Sequence, residues 1–319
     1  MDINRPPLVS VIIPTYKRSE KLSRAIKSVI NQTYANVEVL VVSDNEPNDE
    51  FTAEAQRIVE SFNDNRVLLV LQKHHKNGAA ARNAGIRSAK GEFIAFLDDD
   101  DFWDKEKLEI QVPVLLSLDE SWGGVSCLNK IFQNGKLSHL QQGYKSGYIF
   151  KKILQRRLEV STDTILLRKK CLIETGMFNE NLLRNQEVQM LAFFTQKYKL
   201  HLIEKYLCNV DIDDILNRPS PEKYKKVKIE FLKAVEPVMR TLSPYMRMGI
   251  KLSNKFELGG LCILTGEYLK GLFYCSSILI SPSACISAYT RVHRRKLGRR
   301  IPKEFQETNL QYFIEKNNL

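Results

Sequence analysis

The sequence predicts an open, mostly parallel α/β sheet in its first hundred residues, followed by a helical C-terminal region. Short apolar runs rich in β-branched residues alternate there with stretches whose apolar residues recur at helical spacing. The apolar runs are continuous rather than alternating, as in a parallel sheet whose two faces are both covered by helices. Such sheets bind ligands at the carboxyl ends of their strands, which is where we expect a site.

The first hundred residues follow the order β-α-β-α-β-α-β. The first strand, LVSVII, is closed by Pro14, and the helix after it has Leu22, Ile26 and Val29 on one face. The predicted strands cover residues 8–13, 37–43, 67–72 and 93–97. The predicted helices cover residues 19–32, 49–62 and 79–90. Polar residues follow every strand, so the predicted topology brings them to one sheet edge.

The pattern is looser after residue 104. It predicts a helix at 105–118, a strand at 124–132 and a basic helical stretch at 145–160. A strand, a helix and a glycine stop are predicted within 161–176, and a helix followed by a strand within 188–203. From about residue 222 the chain is predicted to be helical.

We therefore expect two domains, 1–220 and 221–319. Their boundary is expected in the stretch NRPSPEK, which contains two prolines.

Composition narrows the class of protein. The chain has 319 residues, of which 43% are hydrophobic, so global disorder is excluded. Its net charge of +11 favours an anionic partner, namely nucleic acid, an acidic membrane surface or a phosphorylated substrate. Six cysteines fit no zinc or redox spacing, and the first apolar run is too short for a signal peptide. These features favour reduced thiols and a cytoplasmic location.

The stretch FIAFLDDDDFW contains the most informative motif. A buried strand runs directly into Asp98, Asp99, Asp100 and Asp101, and like charges so placed repel one another unless a cation is bound. Oxygen ligands suit Mg²⁺ or Mn²⁺. The alternatives are a solvated acidic loop, because charge runs are usually solvated, and an acidic cluster at the start of a helix in WDKEKLEIQ.

The motifs VSVIIPTYKR, VINQTY, VEVLVVSDN and NGAAARNAGIRSAKGEFIAFLDDDDFW together resemble the family-2 glycosyltransferases, which have the GT-A fold. The resemblance is strong over residues 8–104 and weaker over 174–191. It implies binding of a nucleotide-diphosphate sugar, most often a UDP-sugar, with a divalent metal held by an Asp-x-Asp motif. By this resemblance Asp98 lies near the ribose, Asp99 belongs to the donor site and Asp100 binds the metal.

The resemblance also assigns residues at the other strand ends. Thr15 and Tyr16 would line the nucleotide pocket, Asp44 would contact the uracil or ribose, and Arg82 would approach the nucleotide or its phosphates. Each has a structural alternative. Tyr16 could pack on the first helix, and Arg82 could pair with a surface acid. His74 and His75, after the third strand, are interpreted as loop residues.

The catalytic base is expected at the start of a later helix. Inverting members of the family place an acidic pair there, and Gln186-Glu187 stands at that point, which makes Glu187 the base by resemblance. A carboxylate within hydrogen-bond reach takes the proton of the acceptor hydroxyl as it attacks. The structural alternative is a helix-start carboxylate favoured by the macrodipole. Glu174 and Glu180 are weaker competitors.

A further metal ligand is expected near residues 211–214. The candidates there are Asp211, Asp213 and Asp214, and Asp213 is taken as the ligand. Surface turn acids are the alternative explanation for at least two of them.

The C-terminal region carries an uncharged segment, 271–290, followed by the basic tail RVHRRKLGRR at 291–300. An apolar helical piece beside a basic one suits attachment to an anionic membrane surface. A pair of helices broken near Pro282 is favoured over a membrane span. A solvated helical face is the alternative for the tail. No aromatic stacking pattern accompanies it, so nucleic acid is not expected as a partner.

The sequence therefore predicts a metal-dependent, inverting glycosyltransferase. It would move a sugar to a hydroxyl of a saccharide or lipid-linked acceptor in surface polysaccharide assembly, at the cytoplasmic face of the inner membrane. Two alternatives remain open, a nucleotidyltransferase on a similar sheet and a non-enzymatic basic protein that binds membrane or nucleic acid. The absence of glycine in PTYKRSE disfavours the first, because a triphosphate loop needs it.

Overall fold

Four parallel strands form the first half of the sheet. The computed structural model of the protein describes residues 5–18, 20–212, 220–298, 300–306 and 308–319. The strands are β1 (Val9–Thr15), β2 (Val37–Ser43), β3 (Val67–Leu71) and β4 (Phe93–Phe96), and the helices between them are α1 (Leu22–Ile30), α2 (Glu50–Ser61) and α3 (Gly78–Ser88). β1 pairs in parallel with both β2 and β4, and β2 with β3. The predicted β-α-β order and parallel pairing are confirmed.

The second half of the sheet is mixed. Its strands are β5 (Phe102–Trp103), β6 (Trp122–Gln133), β7 (Lys136–Leu140), β8 (Ile165–Arg168) and β9 (Lys199–Asp211). The sheet order is β3-β2-β1-β4-β8-β6-β9-β5, with β7 on the side of β6. β8 runs antiparallel to β4, so the segment that precedes β8 meets the carboxyl end of β4. This pairing is what brings a distant part of the chain to the site.

Both faces of strands β1, β2 and β4 are buried. Along β1, Ile12 faces a core that includes residues of α3, whereas Val11 and Ile13 face a second core that includes residues of α1. Continuous apolar strands are therefore required here, since each side chain packs against one layer or the other.

The helices between residues 105 and 200 hold the remaining loops. They are α4 (Lys107–Ser117), α5 (Phe150–Leu154), α6 (Lys169–Glu174) and α7 (Gln186–Lys197). The prediction of a helix over 145–160 is wrong in extent, because only five residues are helical. Gly147 and Arg156, both at positive φ, flank that helix. The predicted glycine stop is confirmed at Gly176, whose φ is +94°.

The region after residue 220 is helical. Its helices are α8 (Pro221–Ala234), α9 (Glu236–Arg240), α10 (Pro244–Leu264), α11 (Tyr268–Ser276), α12 (Pro282–Gly298), α13 (Lys303–Gln306) and α14 (Leu310–Lys316), with a 3₁₀ turn at Ser277–Ile280. The predicted break near Pro282 is confirmed. The first three residues of the expected boundary stretch, 217–219, lie outside the described residues.

The chain end returns to the sheet. Phe313 of α14 packs against Phe102 and Phe132, and Asn317 accepts a hydrogen bond from the backbone N–H of Lys105 at 2.8 Å. In the described part of the chain, no single helix is long and apolar enough to cross a membrane. Residues 268–280 and 282–298 meet the length and composition criteria only as a pair, bent by 120°.

Candidate active site

Thr15 and Asp99 connect the carboxyl ends of β1 and β4. Thr15 Oγ1 donates a hydrogen bond to Asp99 Oδ2 at 2.7 Å, and both residues are buried. Burial raises the pKa of Asp99 to about 7, although the hydrogen bond from Thr15 opposes the shift. The two predicted donor-site residues therefore do meet at one sheet edge.

Asp44 lies buried just after β2. It accepts hydrogen bonds from Gln72 Nε2 at 2.6 Å and from the backbone N–H of Lys76 at 3.1 Å. Burial raises the pKa of the Asp44 carboxyl, although these hydrogen bonds oppose the shift. His75 lies in a loop, as interpreted from the sequence. Its ring lies 3.2 Å from Asp44 Oδ2 and stacks on Tyr16 at 4.2 Å between centroids. Tyr16 is half exposed, so this stack forms an aromatic surface next to a buried acid.

Arg82, on α3, forms an ion pair with the first acid of the motif. Its Nη2 lies 2.5 Å from Asp98 Oδ1. Burial lowers the pKa of Arg82, but the carboxylates of Asp98 and Asp163 outweigh burial and the pKa is raised. The acid that Arg82 pairs with thus belongs to the motif rather than to the outer surface.

Asp98, Asp101 and Asp163 form a compact acidic group. Each can place one carboxylate oxygen within 4.8 Å of the others. Burial first, and then the charge of Asp98, raise the pKa of Asp163 to about 7. Burial first, and then the charge of Asp163, raise the pKa of Asp101 well above its usual range. Crowded oxygen donors of this kind fit a hard divalent cation, because its charge removes both the repulsion and the cost of burial.

Asp163 was missed by the sequence reasoning. It lies in the 3₁₀ turn Thr162–Thr164 just before β8, and its Oδ1 accepts a hydrogen bond from the backbone N–H of Asp98 at 2.9 Å. The only local signal is an acid placed directly before a buried strand in STDTILL.

Of the two predicted metal ligands, only Asp100 lies among the described residues. Asp100 forms an ion pair with Arg18 at 2.8 Å, and its backbone carbonyl accepts a hydrogen bond from Arg24, so its side chain does not belong to the acidic group. Asp213 lies outside the described residues, as does Asp214. The other candidate, Asp211, is buried and pairs with Lys21 at 2.7 Å, so its carboxylate is already neutralised.

Glu187 lies in the first turn of α7, in a cleft of about 750 Å³ that Arg82 and Asp98 also line. Among the described residues, it has neither a hydrogen-bond partner nor an ion-pair partner. The two other carboxylates considered for the catalytic base already have partners. Glu180 accepts a hydrogen bond from Asn83 at 2.9 Å and pairs with Lys76 at 2.8 Å, whereas Glu174 pairs with Lys197 outside the cleft.

Comparison with known proteins identifies the family. The sequence model of glycosyl transferase family 2 matches residues 10–174, which is more than half of the chain. The chain belongs to glycosyl transferase family 2. The resemblance predicted from the motifs is confirmed, and with it the expectation of a glycosyltransferase at the level of the family. The alternatives of a nucleotidyltransferase and of a non-enzymatic protein are not supported.

Relatives within the family cover different parts of the chain. It is 31% identical over 243 residues to an uncharacterized glycosyltransferase of Rickettsia felis, covering 74% of this chain and 39% of that one. It is 43% identical over 109 residues to the UDP-Glc:α-D-GlcNAc-diphosphoundecaprenol β-1,3-glucosyltransferase WfgD of Escherichia coli, covering 34% of this chain and 41% of that one. The chain thus spans about two fifths of the length of these relatives.

Solved structures confirm the fold. Staphylococcus aureus TarS 1–349 in complex with UDP-GlcNAc superposes with a TM-score of 0.64 and 17% identity, over 92% of this chain and 89% of that one. The mannosyltransferase PcManGT of Pyrobaculum calidifontis, in complex with GDP-Man and Mn²⁺, superposes with a TM-score of 0.58 and 14% identity, over 99% and 87%. At these identities the likeness concerns the fold alone, and the predicted GT-A fold is confirmed.

Proposed function

We propose that this family-2 member transfers a sugar from a UDP-sugar to an acceptor hydroxyl, with inversion, during surface polysaccharide assembly. The observation that carries the proposal is that one cleft contains an unpartnered carboxylate, Glu187, together with the Arg82–Asp98 pair at the end of β4. A free base beside a phosphate-binding cation and an acidic group is the arrangement that such a displacement needs.

The donor site in this proposal lies along the ends of β1 and β2. The stacked rings of Tyr16 and His75 provide a surface for the nucleobase, while Asp44 and Thr15 supply polar groups for the base and ribose. The Escherichia coli relative is named for UDP-Glc, and the TarS structure contains UDP-GlcNAc, which supports UDP as the nucleotide.

A divalent cation, Mn²⁺ or Mg²⁺, is proposed at the acidic group formed by Asp98, Asp101 and Asp163. When bound there it would supply Lewis-acid stabilisation of the departing diphosphate. Asp100, the ligand expected from the sequence, can join this group only by leaving Arg18. That pair is partly exposed and therefore weak.

The chain's own residues carry the transfer in this proposal. Glu187 accepts the proton of the acceptor hydroxyl while the hydroxyl oxygen forms a bond to the anomeric carbon. The bond between that carbon and the diphosphate breaks, and the nucleoside diphosphate leaves with the electron pair. Arg82 can hold the departing phosphates because its guanidinium stays charged through the reaction.

The acceptor is proposed to be a saccharide on a lipid diphosphate, reached at an anionic membrane surface. The Escherichia coli relative is named for a diphosphoundecaprenol acceptor.

A large apolar surface supports membrane contact. Leu264, Leu269, Phe273 and Leu279 are each more than 70% exposed along the end of α10, α11 and the 3₁₀ turn. All six cysteines are free thiols, which supports a cytoplasmic-face location.

A thermal-shift experiment tests the proposal. UDP, GDP, CMP and dTDP are each added with and without Mn²⁺, because a ligand of the native state raises stability by mass action. We expect UDP with Mn²⁺ to give the largest rise in melting temperature. Arg82→Gln should reduce that rise, whereas the surface variant Lys152→Gln should retain it. A folded protein that responds to none of the four nucleotides would overturn the proposal.

A further inference from the structure

The wall of the cleft contributed by α5 and α12 is rich in arginine. Arg156 and Arg157 follow α5, and Arg291 and Arg294 lie on α12. All four line the same cleft as Arg82, Asp98 and Glu187. The basic tail, interpreted from the sequence as a membrane contact, therefore directs Arg291 and Arg294 into the cleft.

This wall contains more positive charge than its acids can balance. The buried carboxylate of Glu257, on α10, is shared by three cations, Arg156 at 3.2 Å together with Lys228 and Arg291. Burial raises the pKa of Glu257, yet these cations outweigh burial and hold it well below its usual range. Burial also lowers the pKa of Lys228 to about 8. Glu159 also lines the cleft and lies 3.9 Å from Arg291. Two carboxylates therefore face the four arginines and Lys228, and the wall of the cleft remains electropositive.

Two of the four arginines have no carboxylate within ion-pair distance in the described part of the chain. Arg157 Nε is buried and has no hydrogen-bond partner there. Among the residues that the structure describes, Arg294 donates to the main-chain carbonyls of Gln142 and Gly143, the latter at 2.8 Å. Both arginines are only partly exposed, so a guanidinium group there without a carboxylate partner favours the entry of an anion.

We propose that Arg157 and Arg294 form an anion subsite that binds the diphosphate of the acceptor while the acceptor sugar faces Glu187. A diphosphate carries several charges and oxygen pairs that match guanidinium groups, so it fits this surplus better than a single carboxylate does. The subsite is where the acceptor of the proposed function binds, so this inference rests on that function.

A lipid-linked diphosphate fits the surroundings better than a free one. Tyr289 is 69% exposed and Val292 is 46% exposed, on the same helix, α12, that sends Arg291 and Arg294 into the cleft. One helix thus contributes both to the electropositive wall and to the exposed apolar surface. A chain attached to a bound diphosphate could leave the cleft along this helix and enter the membrane.

Calorimetric titration of the full-length chain with n-decyl diphosphate, below its micelle concentration and in EDTA, tests the subsite. EDTA removes the cations that would attract the diphosphate to the acidic group. Binding is expected in the wild type. It should weaken about tenfold or more in Arg157→Gln, as for loss of a charged partner of a buried anion. Lys152→Gln, which removes the same charge from an exposed position on α5, should bind as the wild type does. Equal affinity in Arg157→Gln would overturn the proposal.

Two further ligands separate the sources of binding. n-Decyl maltoside, an uncharged amphiphile, should not compete with n-decyl diphosphate for the site. If it binds as tightly as n-decyl diphosphate, the site recognises the apolar chain rather than the diphosphate, and the proposal is overturned. Inorganic pyrophosphate should bind more weakly than n-decyl diphosphate, and equal affinity would overturn the assignment to a lipid-linked group. A UDP response without n-decyl diphosphate binding would reject the subsite alone. Binding through Arg157 without any nucleotide response would reject the proposed function alone.

Discussion

Asp163 accepts a hydrogen bond from the backbone N–H of Asp98 at 2.9 Å, which fixes a carboxylate from the mixed half of the sheet against the end of β4. The antiparallel pairing of β8 with β4 produces this relationship, because it brings the turn before β8 to the carboxyl end of β4. The acidic group is therefore held by main-chain structure. Its members cannot move apart freely, so their repulsion is relieved by protonation, to which the raised pKa values of Asp101 and Asp163 point, or by the proposed cation.

Replacing Asp163 tests this metal site. Asp163→Asn retains an acceptor for the Asp98 N–H but removes the charge. The dissociation constant for Mn²⁺ should rise about 10- to 100-fold, the range observed even for outer-shell partners. Titration calorimetry measures this change. Asp100→Asn is the comparison, since Asp100 pairs with Arg18 and should have the smaller effect. A large loss in Asp100→Asn with none in Asp163→Asn would favour the ligand expected from the sequence.

The stability of the metal-free protein should fall as pH rises from about 5 to about 8. Asp99 and Asp163 have pKa values raised to about 7 in the folded protein, chiefly by burial, whereas an unfolded chain ionises them near 4. Between these values the folded state binds more protons than the unfolded state, so the free energy of unfolding decreases as pH increases.

Melting temperatures in EDTA across this pH range check the prediction. Mn²⁺ should raise the melting temperature more at the upper end of the range, because it no longer has to displace protons from its ligands. Asp163→Asn should flatten the pH dependence. A melting temperature that rises steadily with pH in EDTA would contradict the assigned pKa directions.

The first half of the fold could be predicted because its signals are local. Strands β1 to β4 are mostly apolar runs, and Thr15, Asp44 and Asp98 each lie one or two residues beyond the last buried apolar or small side chain of their strand. Thr15, Asp44 and Asp98 were placed correctly for that reason.

The rest depends on pairing between distant segments. Asp163 joins Asp98 across 65 residues, and Arg294 reaches the cleft only because α12 folds back onto the loop at Gln142. Strand β5, Phe102–Trp103, is only two residues long, so the sequence shows no alternating pattern from which it could be predicted. No spacing rule within the sequence reports such contacts, so the acidic group and the arginine wall emerge only from the structure.

Glu187→Gln should abolish transfer and leave donor binding intact. The variant keeps the shape of the side chain but cannot accept a proton, and loss of a general base typically costs about 10²- to 10⁴-fold in rate. Turnover of a UDP-sugar on a lipid-diphosphate saccharide measures the first effect, and the UDP–Mn²⁺ thermal shift measures the second. Glu174→Gln, at the surface ion pair with Lys197, is the matched control and should stay near wild-type activity. Near-normal turnover in Glu187→Gln would remove the assignment.

Gly85→Ala should destabilise the fold. A Cβ at position 85 would lie 2.5 Å from Ile12 Cγ2, so α3 can approach β1 only because residue 85 lacks a side chain. Overpacking of this kind costs about 1–3 kcal/mol, which exceeds the gain of roughly 0.5–1 kcal/mol from replacing a helical glycine. Denaturant unfolding measures the difference. Gly260→Ala, also in a helix but with nothing within 4 Å of the added atom, should be neutral or stabilising. Equal behaviour of the two variants would contradict the close packing of α3 on β1.

Membrane contact through the exposed apolar surface predicts that Leu269→Glu combined with Phe273→Glu lowers binding to anionic vesicles. Each apolar side chain inserted into lipid contributes about 1.5–3 kcal/mol, so the double variant should bind at least about tenfold more weakly. Sedimentation with phosphatidylglycerol-containing vesicles measures this. Leu116→Glu, at a half-exposed leucine on α4, is the control. Removing residues 291–319 would not isolate the effect, because Phe313 and Asn317 hold the chain end in the core. Unchanged vesicle binding in the double variant, with both variants folded, would exclude this surface as the membrane contact.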